Sequence, residues 1–187
     1  MKHCLVALYC LSICLLFANC SSKSVLYSHY DKKRYYAGEL NNSDFSVLRK
    51  LLTNHSFEGL KDTLIIKYDY NKETCWDMLD QQDDAYIMGF ITRHKQTVAD
   101  ILSKRKNVSI FAYREPGDNI NKLKKWDDSI IIDSSKVLFN LLFKDRTTCG
   151  SSIMVMPDKR YVFMRSDSHS EILDLPADRI NNVLRIR

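Results

Sequence analysis

Glycine and proline are scarce, with 5 Gly and 3 Pro among 187 residues. This excludes a collagen-like or Pro/Gly-rich disordered chain and leaves no composition for a flexible linker between domains. Charge of one sign is scarce too: 28 basic residues stand against 23 acidic ones, a net charge of +5. The basic residues fall in short groups interleaved with acids, Lys32-Lys33-Arg34, Lys104-Arg105-Lys106 and Lys122 to Lys125. They form no stripe, so nucleic acid is not an expected partner. No G-x-S-x-G, P-loop or G-x-G-x-x-G occurs, which removes the usual hydrolase and nucleotide signatures. Cys75, Cys149, His94 and His169 lack paired ligand spacing and His55 stands alone, so neither a metal nor a cofactor is expected. What is present, 45% hydrophobic and 27% charged residues, is the balance of one folded unit.

The longest apolar run, residues 4–18, holds one Ser and follows Lys2 and His3. At 15 residues it is shorter than the ~20 that a membrane-crossing helix needs. It reads as a secretory signal, which predicts export. The stretch Leu16-Phe17-Ala18-Asn19-Cys20-Ser21-Ser22-Lys23-Ser24 resembles the lipobox of bacterial lipoproteins, where a Cys after small residues is diacylated and becomes the new N-terminus. Phe17 and Asn19 depart from the box, which usually holds Leu and a small residue there. The resemblance implies a signal over 1–19, lipid on Cys20, and a membrane partner held through that anchor in the cell envelope, on its periplasmic or surface side. Ser21 to Ser24 would form a short tether. Without acylation the same leader is an ordinary secretory signal.

With Cys4, Cys10 and Cys14 in the leader and Cys20 at the lipid position, the body carries two thiols, Cys75 and Cys149. In an oxidising compartment two thiols invite pairing. The bond would close a loop of about 75 residues, for which chain entropy gives ~4 kcal/mol. A structural staple and a redox pair are both open at this point.

An extension over 20–60 precedes a domain over 61–187. Within the extension, alternation at Tyr35 to Leu40 suggests an edge strand, and Ser43 is placed to cap a helix with apolar Phe45, Leu48, Leu51 and Leu52. Thr63 to Tyr70 is β-rich and reads as a central strand. A helix beginning near Thr74 or Cys75 breaks around Gln81 to Asp84 and resumes with a stripe from Ile87 to Leu102. Val108 to Tyr113 is the next strand, Arg114 to Asp118 is turn chemistry, and a short helix runs through Ile120, Leu123 and Trp126. Ser129 to Ile132 forms a strand, and Asp133 or Ser134 caps a helix holding Val137, Leu138, Leu141 and Leu142. The strands Ser152 to Met156 and Tyr161 to Met164 turn at Pro157-Asp158-Lys159, and Pro176 opens a final helix. The order predicts an α/β, three-layer sandwich: a mixed central sheet, parallel early and antiparallel late, with helices on both faces.

Strand Thr63 to Tyr70 leads into Cys75-Trp76-Asp77-Met78 at a helix start, Ile130-Ile131-Ile132-Asp133 is a strand ending in Asp before a capped helix, and Cys149-Gly150 precedes a hairpin. In these features residues 60–185 resemble the thioredoxin-like superfamily, in its branch of envelope thiol oxidoreductases and peroxiredoxin-like proteins. Met78 replaces the second Cys of the C-x-x-C, and Gly150 takes the place of the cis-Pro. The resemblance implies that the loop before the fourth strand lies against the helix start, bringing Cys149 to Cys75. It also makes Trp76 and Gly150 the border of a substrate groove. A Cys at a helix N-terminus is favoured as thiolate, so Cys75 would attack and Cys149 resolve. The alternative is a binding module that keeps the bond as a staple and uses the groove for a protein partner. Neighbouring Asp69, Asp77, Asp80, Asp83 and Asp84 read as a solvated acidic helix start, and Ser166-Asp167-Ser168-His169-Ser170 as a polar loop.

Overall fold

The computed structural model describes residues 32–71, 73, 75, 79, 81–117 and 127–185. Cys20, Trp76, Asp77, Met78, Asp80, Trp126 and the expected helix through Ile120 and Leu123 lie outside the described residues.

Residues Thr63–Asp69 alternate between two buried faces, and this strand, β2, sits inside the sheet. Leu64, Ile66 and Tyr68 point to one face and Ile65, Lys67 and Asp69 to the other. β3, Val108–Arg114, pairs parallel with β2, and β4, Ile131–Ile132, pairs parallel with β3. β5, Ser151–Val155, runs antiparallel to β2 on its other side, and β6, Arg160–Met164, continues antiparallel. The far edge is β1, Tyr35–Glu39, antiparallel to β6 from Tyr35↔Met164 to Glu39↔Arg160. The six strands thus run in the order β1-β6-β5-β2-β3-β4.

Four α-helices cover this mixed sheet among the described residues: α1, Asn42–Thr53; α2, Asp84–Lys104; α3, Val137–Leu142; and α4, Ala177–Arg185. Leu48 and Leu52 of α1 and Leu138 of α3 pack with Leu64, Ile66, Tyr68, Phe143 and Phe163 on one face. Tyr68 and Phe143 stack there at 4.6 Å. Ile101 of α2 and Val183 of α4 pack on Ile65, Met154 and Val162 on the other. The result is a three-layer α/β sandwich. Burying each of these aliphatic or aromatic side chains contributes about 1.5–3 kcal/mol.

Three local expectations are corrected. The cap of α1 is Asn41, not Ser43: its Oδ1 accepts from the Asp44 N–H at 2.8 Å while its Nδ2 donates to Asp44 Oδ2 at 2.8 Å. The third predicted strand loses its first two residues and shrinks to Ile131–Ile132, because Ser129 is held in a turn, its N–H and hydroxyl both donating to Asp127 Oδ1. Neither Asp133 nor Ser134 sits at the N-cap of α3, which is Lys136 with φ 54°. Asp133 instead reaches in from three residues earlier, its Oδ2 accepting from Phe139 N–H at 2.9 Å and from the Tyr68 hydroxyl at 3.1 Å.

Candidate functional site

Cys75 and Cys149 form a disulfide across 74 residues, with their Cα atoms 5.3 Å apart. Cys75 is half-buried and lies at a helical position beyond the C-terminal end of β2, while Cys149 is buried in the segment that enters β5. The antiparallel pairing of β5 with β2 delivers the two sulfurs to the same end of the sheet, since Ser151 stands opposite Tyr68. Thr147 supports the segment by donating its hydroxyl to the Cys149 carbonyl, and its Oγ1 lies 3.1 Å from Ser151 Oγ.

The bond opens onto a cavity of about 450 Å³ whose wall includes Cys75, Glu73, Asp69, Lys67, Leu79 and Tyr86. Two acids and a lysine at a buried sheet end are not a solvated helix start. Asp69 is 4% exposed and Glu73 5%, which corrects the expectation for Asp69. Asp83, by contrast, is an exposed N-cap of α2, accepting from Tyr86 N–H at 2.7 Å. Glu73 accepts from Tyr70 N–H at 2.8 Å through Oε2. Burial, followed by the nearby Asp69 carboxylate, holds its pKa well above the usual carboxylate range despite opposing effects of Lys67 and Arg114. Lys67 Nζ lies 3.5 Å from Asp69 Oδ1 and donates to the Asp167 carbonyl.

Gly150 is buried beneath this group. A Cβ there would collide with Asp69 Oδ1 and lie 2.7 Å from the Tyr68 carbonyl oxygen and 2.9 Å from Lys67 Nζ. Hydrogen alone fits between the Cys149 segment and β2. The Ser166 to Ser170 stretch, expected as a polar loop, is largely buried against the same end. Asp167 is fully buried and its Oδ1 accepts from Glu171 N–H at 2.6 Å, starting the 3-10 turn Glu171–Asp174. His169 and Ser168 reach the wall of the disulfide cavity, so this stretch shapes the site.

A second anchor ties the loop after β2. Glu115, 3% exposed, receives a bidentate Arg146 guanidinium and the Asn71 N–H at 3.1 Å. Burial alone would raise its pKa, but these donors outweigh it and the net shift is downward. Arg146 also lies over the Phe139 ring at 4.8 Å.

Sequence reasoning named Cys75, Cys149 and Gly150, which the structure brings together. It missed Lys67 and Glu73. The signal for Lys67 was the alternation Ile65-x-Lys67-x-Asp69, which puts two charges on one face of an interior strand. For Glu73 no comparable pattern exists. No group of His, Cys, Asp and Glu able to hold a metal ion occurs among the described residues, and none of their helices is long and apolar enough to cross a membrane. No family model matches the chain, nor does any curated protein or solved structure.

Proposed function

We propose that the chain is an envelope lipoprotein, held at a membrane through Cys20, whose thioredoxin-like domain carries out thiol–disulfide exchange through Cys75 and Cys149. The observation that carries this reading is the bond itself: two distant cysteines joined where a half-buried Cys75 borders a cavity that also holds a buried acid. A structural staple needs neither.

In the oxidising direction a substrate thiolate attacks Cys75 Sγ, the disulfide breaks, and Cys149 leaves as thiolate. A second substrate thiolate attacks the substrate sulfur of the mixed disulfide, releasing the oxidised substrate and the Cys75 thiolate. Two electrons pass from substrate to protein, and the substrate's two protons end on the protein thiols. The reverse sequence begins with Cys75 attacking a substrate disulfide, with Cys149 resolving. Glu73, whose pKa burial raises above the ordinary carboxylate range, lines the same cavity and is the group placed to exchange a proton there.

A second reading is favoured by one observation. Cys149 is 5% exposed, as befits a permanent staple in a module that binds a protein partner at the same groove. A Cys149→Ser variant separates the two. Exchange predicts that Cys75 of this variant forms a dithiothreitol-cleavable adduct with a model peptide disulfide faster than a free cysteine peptide does at the same pH. A staple predicts adduct formation no faster than that reference thiol. For the anchor, Cys20→Ala is expected to move the protein from the membrane fraction to the soluble one.

A further inference from the structure

The first strand begins at the disulfide end of the sheet. Tyr35 of β1 stands opposite Met164, Met164 opposite Ser152, and Ser152 opposite Lys67, a residue of the disulfide cavity's wall. Three strand spacings, about 14 Å, separate the two ends of that row. The other end of the sheet, where Glu39 faces Arg160 and Leu64 faces Val155, holds the Pro157-Asp158-Lys159 turn and the basic Lys104 to Lys106. The seven residues of β2 place it about 23 Å away.

The point of entry is bolted to the cavity. Arg34, 2% exposed, holds both Glu171 oxygens, at 2.9 and 2.8 Å. It also donates to the Arg165 carbonyl at 3.2 Å and to the Ser166 carbonyl at 3.3 Å. Charge-assisted bidentate contacts of this kind are among the strong ones. The segment they grip carries Ser168 and His169 into the wall of the disulfide cavity.

Residues 21–31 separate Cys20 from Lys32, and eleven residues reach at most about 40 Å. Turning the opposite end of the sheet to a bilayer would use about 23 Å of that reach merely to pass the length of β2. From this arrangement we infer that the anchored domain faces the bilayer with its disulfide end, and that the thiol partner of Cys75 is a segment of a membrane-embedded protein close to the lipid surface. The inference rests on the reading of Cys20 as the anchor and of Cys75 and Cys149 as an exchanging pair. Two reactants held at one surface also meet at a raised effective concentration.

The test reverses the anchored end while keeping confinement to the surface. Three forms carrying Cys149→Ser are placed on phosphatidylcholine vesicles under nitrogen. One is acylated at Cys20. The other two carry Cys20→Ser and six inserted histidines held by nickel-chelating lipid, after residue 20 in one and in the Pro157 to Lys159 turn in the other. Each meets the same model peptide disulfide, free in solution or coupled to a lipid headgroup, and mixed-disulfide formation at Cys75 is timed. The expected result is equal rates with the free peptide, and rates with the lipid-bound peptide at least fivefold faster for the two N-terminally held forms than for the turn-held form. Equal rates with the lipid-bound peptide would overturn the inference. A Cys20 chain absent from the membrane fraction would overturn it through the anchor. Rates with the free peptide no faster than those of a cysteine peptide would overturn the exchange reading, and with it the partner, while the lipid-bound ratio still tests the orientation. If the turn insertion unfolds the chain by circular dichroism, orientation is read on the acylated chain in its disulfide form. A bimane is placed on Asp145→Cys, at the disulfide end where the Tyr70 hydroxyl meets the Asp145 carbonyl, or on Asn107→Cys at the opposite end. A headgroup quencher should dim the first at least twofold more than the second; equal or reversed quenching would overturn the inference.

Discussion

Gly150 and Asp69 meet so closely that a methyl group on residue 150 would overlap the Asp69 carboxylate. The contact joins the Cys149 segment to the end of β2. The neighbouring Tyr68 carbonyl, 2.7 Å from the same point, is backbone and cannot swing aside. Gly150→Ala is therefore expected to cost about 2 kcal/mol by overpacking, read as a lower denaturant midpoint at unchanged slope. Asp69→Ala in the same chain should recover less than half, since the carbonyl contact persists.

Glu73 makes stability depend on pH in an unusual direction. Its pKa is higher in the folded chain than in the unfolded one, because burial disfavours the carboxylate. The folded state then binds more protons, so stability falls as pH rises from the ordinary carboxylate range through the raised value, by at most about 1.4 kcal/mol per pH unit. Glu73→Gln keeps the acceptor for Tyr70 N–H and removes the titration. Denaturation midpoints measured upward from the ordinary carboxylate range should slope downward in the parent relative to the variant; identical slopes would contradict the assignment.

Glu115 works in the opposite sense. Burial raises its pKa, but Arg146 and the Asn71 N–H bring the net value below the ordinary one. Its contribution is present above the unfolded pKa and is lost as pH falls through the folded value. Arg146→Ala leaves the carboxylate buried and is expected to cost about 2 kcal/mol, discounted because Arg146 is about one-third exposed. Above pH 5 the variant should melt earlier than the parent, and the gap should shrink on acidification.

The outline of the fold was legible because its strands are strongly periodic. Thr63–Asp69 and Val108–Arg114 matched their expected ranges to within one residue, and the final hairpin was marked by Pro157-Asp158-Lys159. Where the reading failed, tertiary contacts decided. Ser129 to Ile132 looks like a four-residue strand, but Asp127 holds Ser129 in a turn and the pairing begins only at Ile131. The meeting of Cys75 with Cys149 was read from the count of two body thiols and from the resemblance, not from spacing, since residues 74 apart carry no local signal. Lys67 was hidden inside a β-rich run, and Asp69 was grouped with exposed acids although the sheet buries it. Burial of a charge is set by neighbours distant in sequence, which a local window does not contain.

Asp133 gives a further check. Its buried Oδ2 serves both the Tyr68 hydroxyl and the Phe139 N–H. Asp133→Ala should lose about 2 kcal/mol by orphaning both donors, while Tyr68→Phe should lose about 1 kcal/mol. The pair should be non-additive in a double-mutant cycle.

The central claim, that Cys75 and Cys149 are a working redox couple, is tested most directly by alkylation mass spectrometry of the domain, with Cys20 replaced, across a graded thiol/disulfide buffer. The account predicts that both cysteines are alkylated together at a midpoint between roughly −120 and −270 mV, the range of oxidoreductases. A bond that stays closed below about −300 mV, or thiols that never pair, would contradict it.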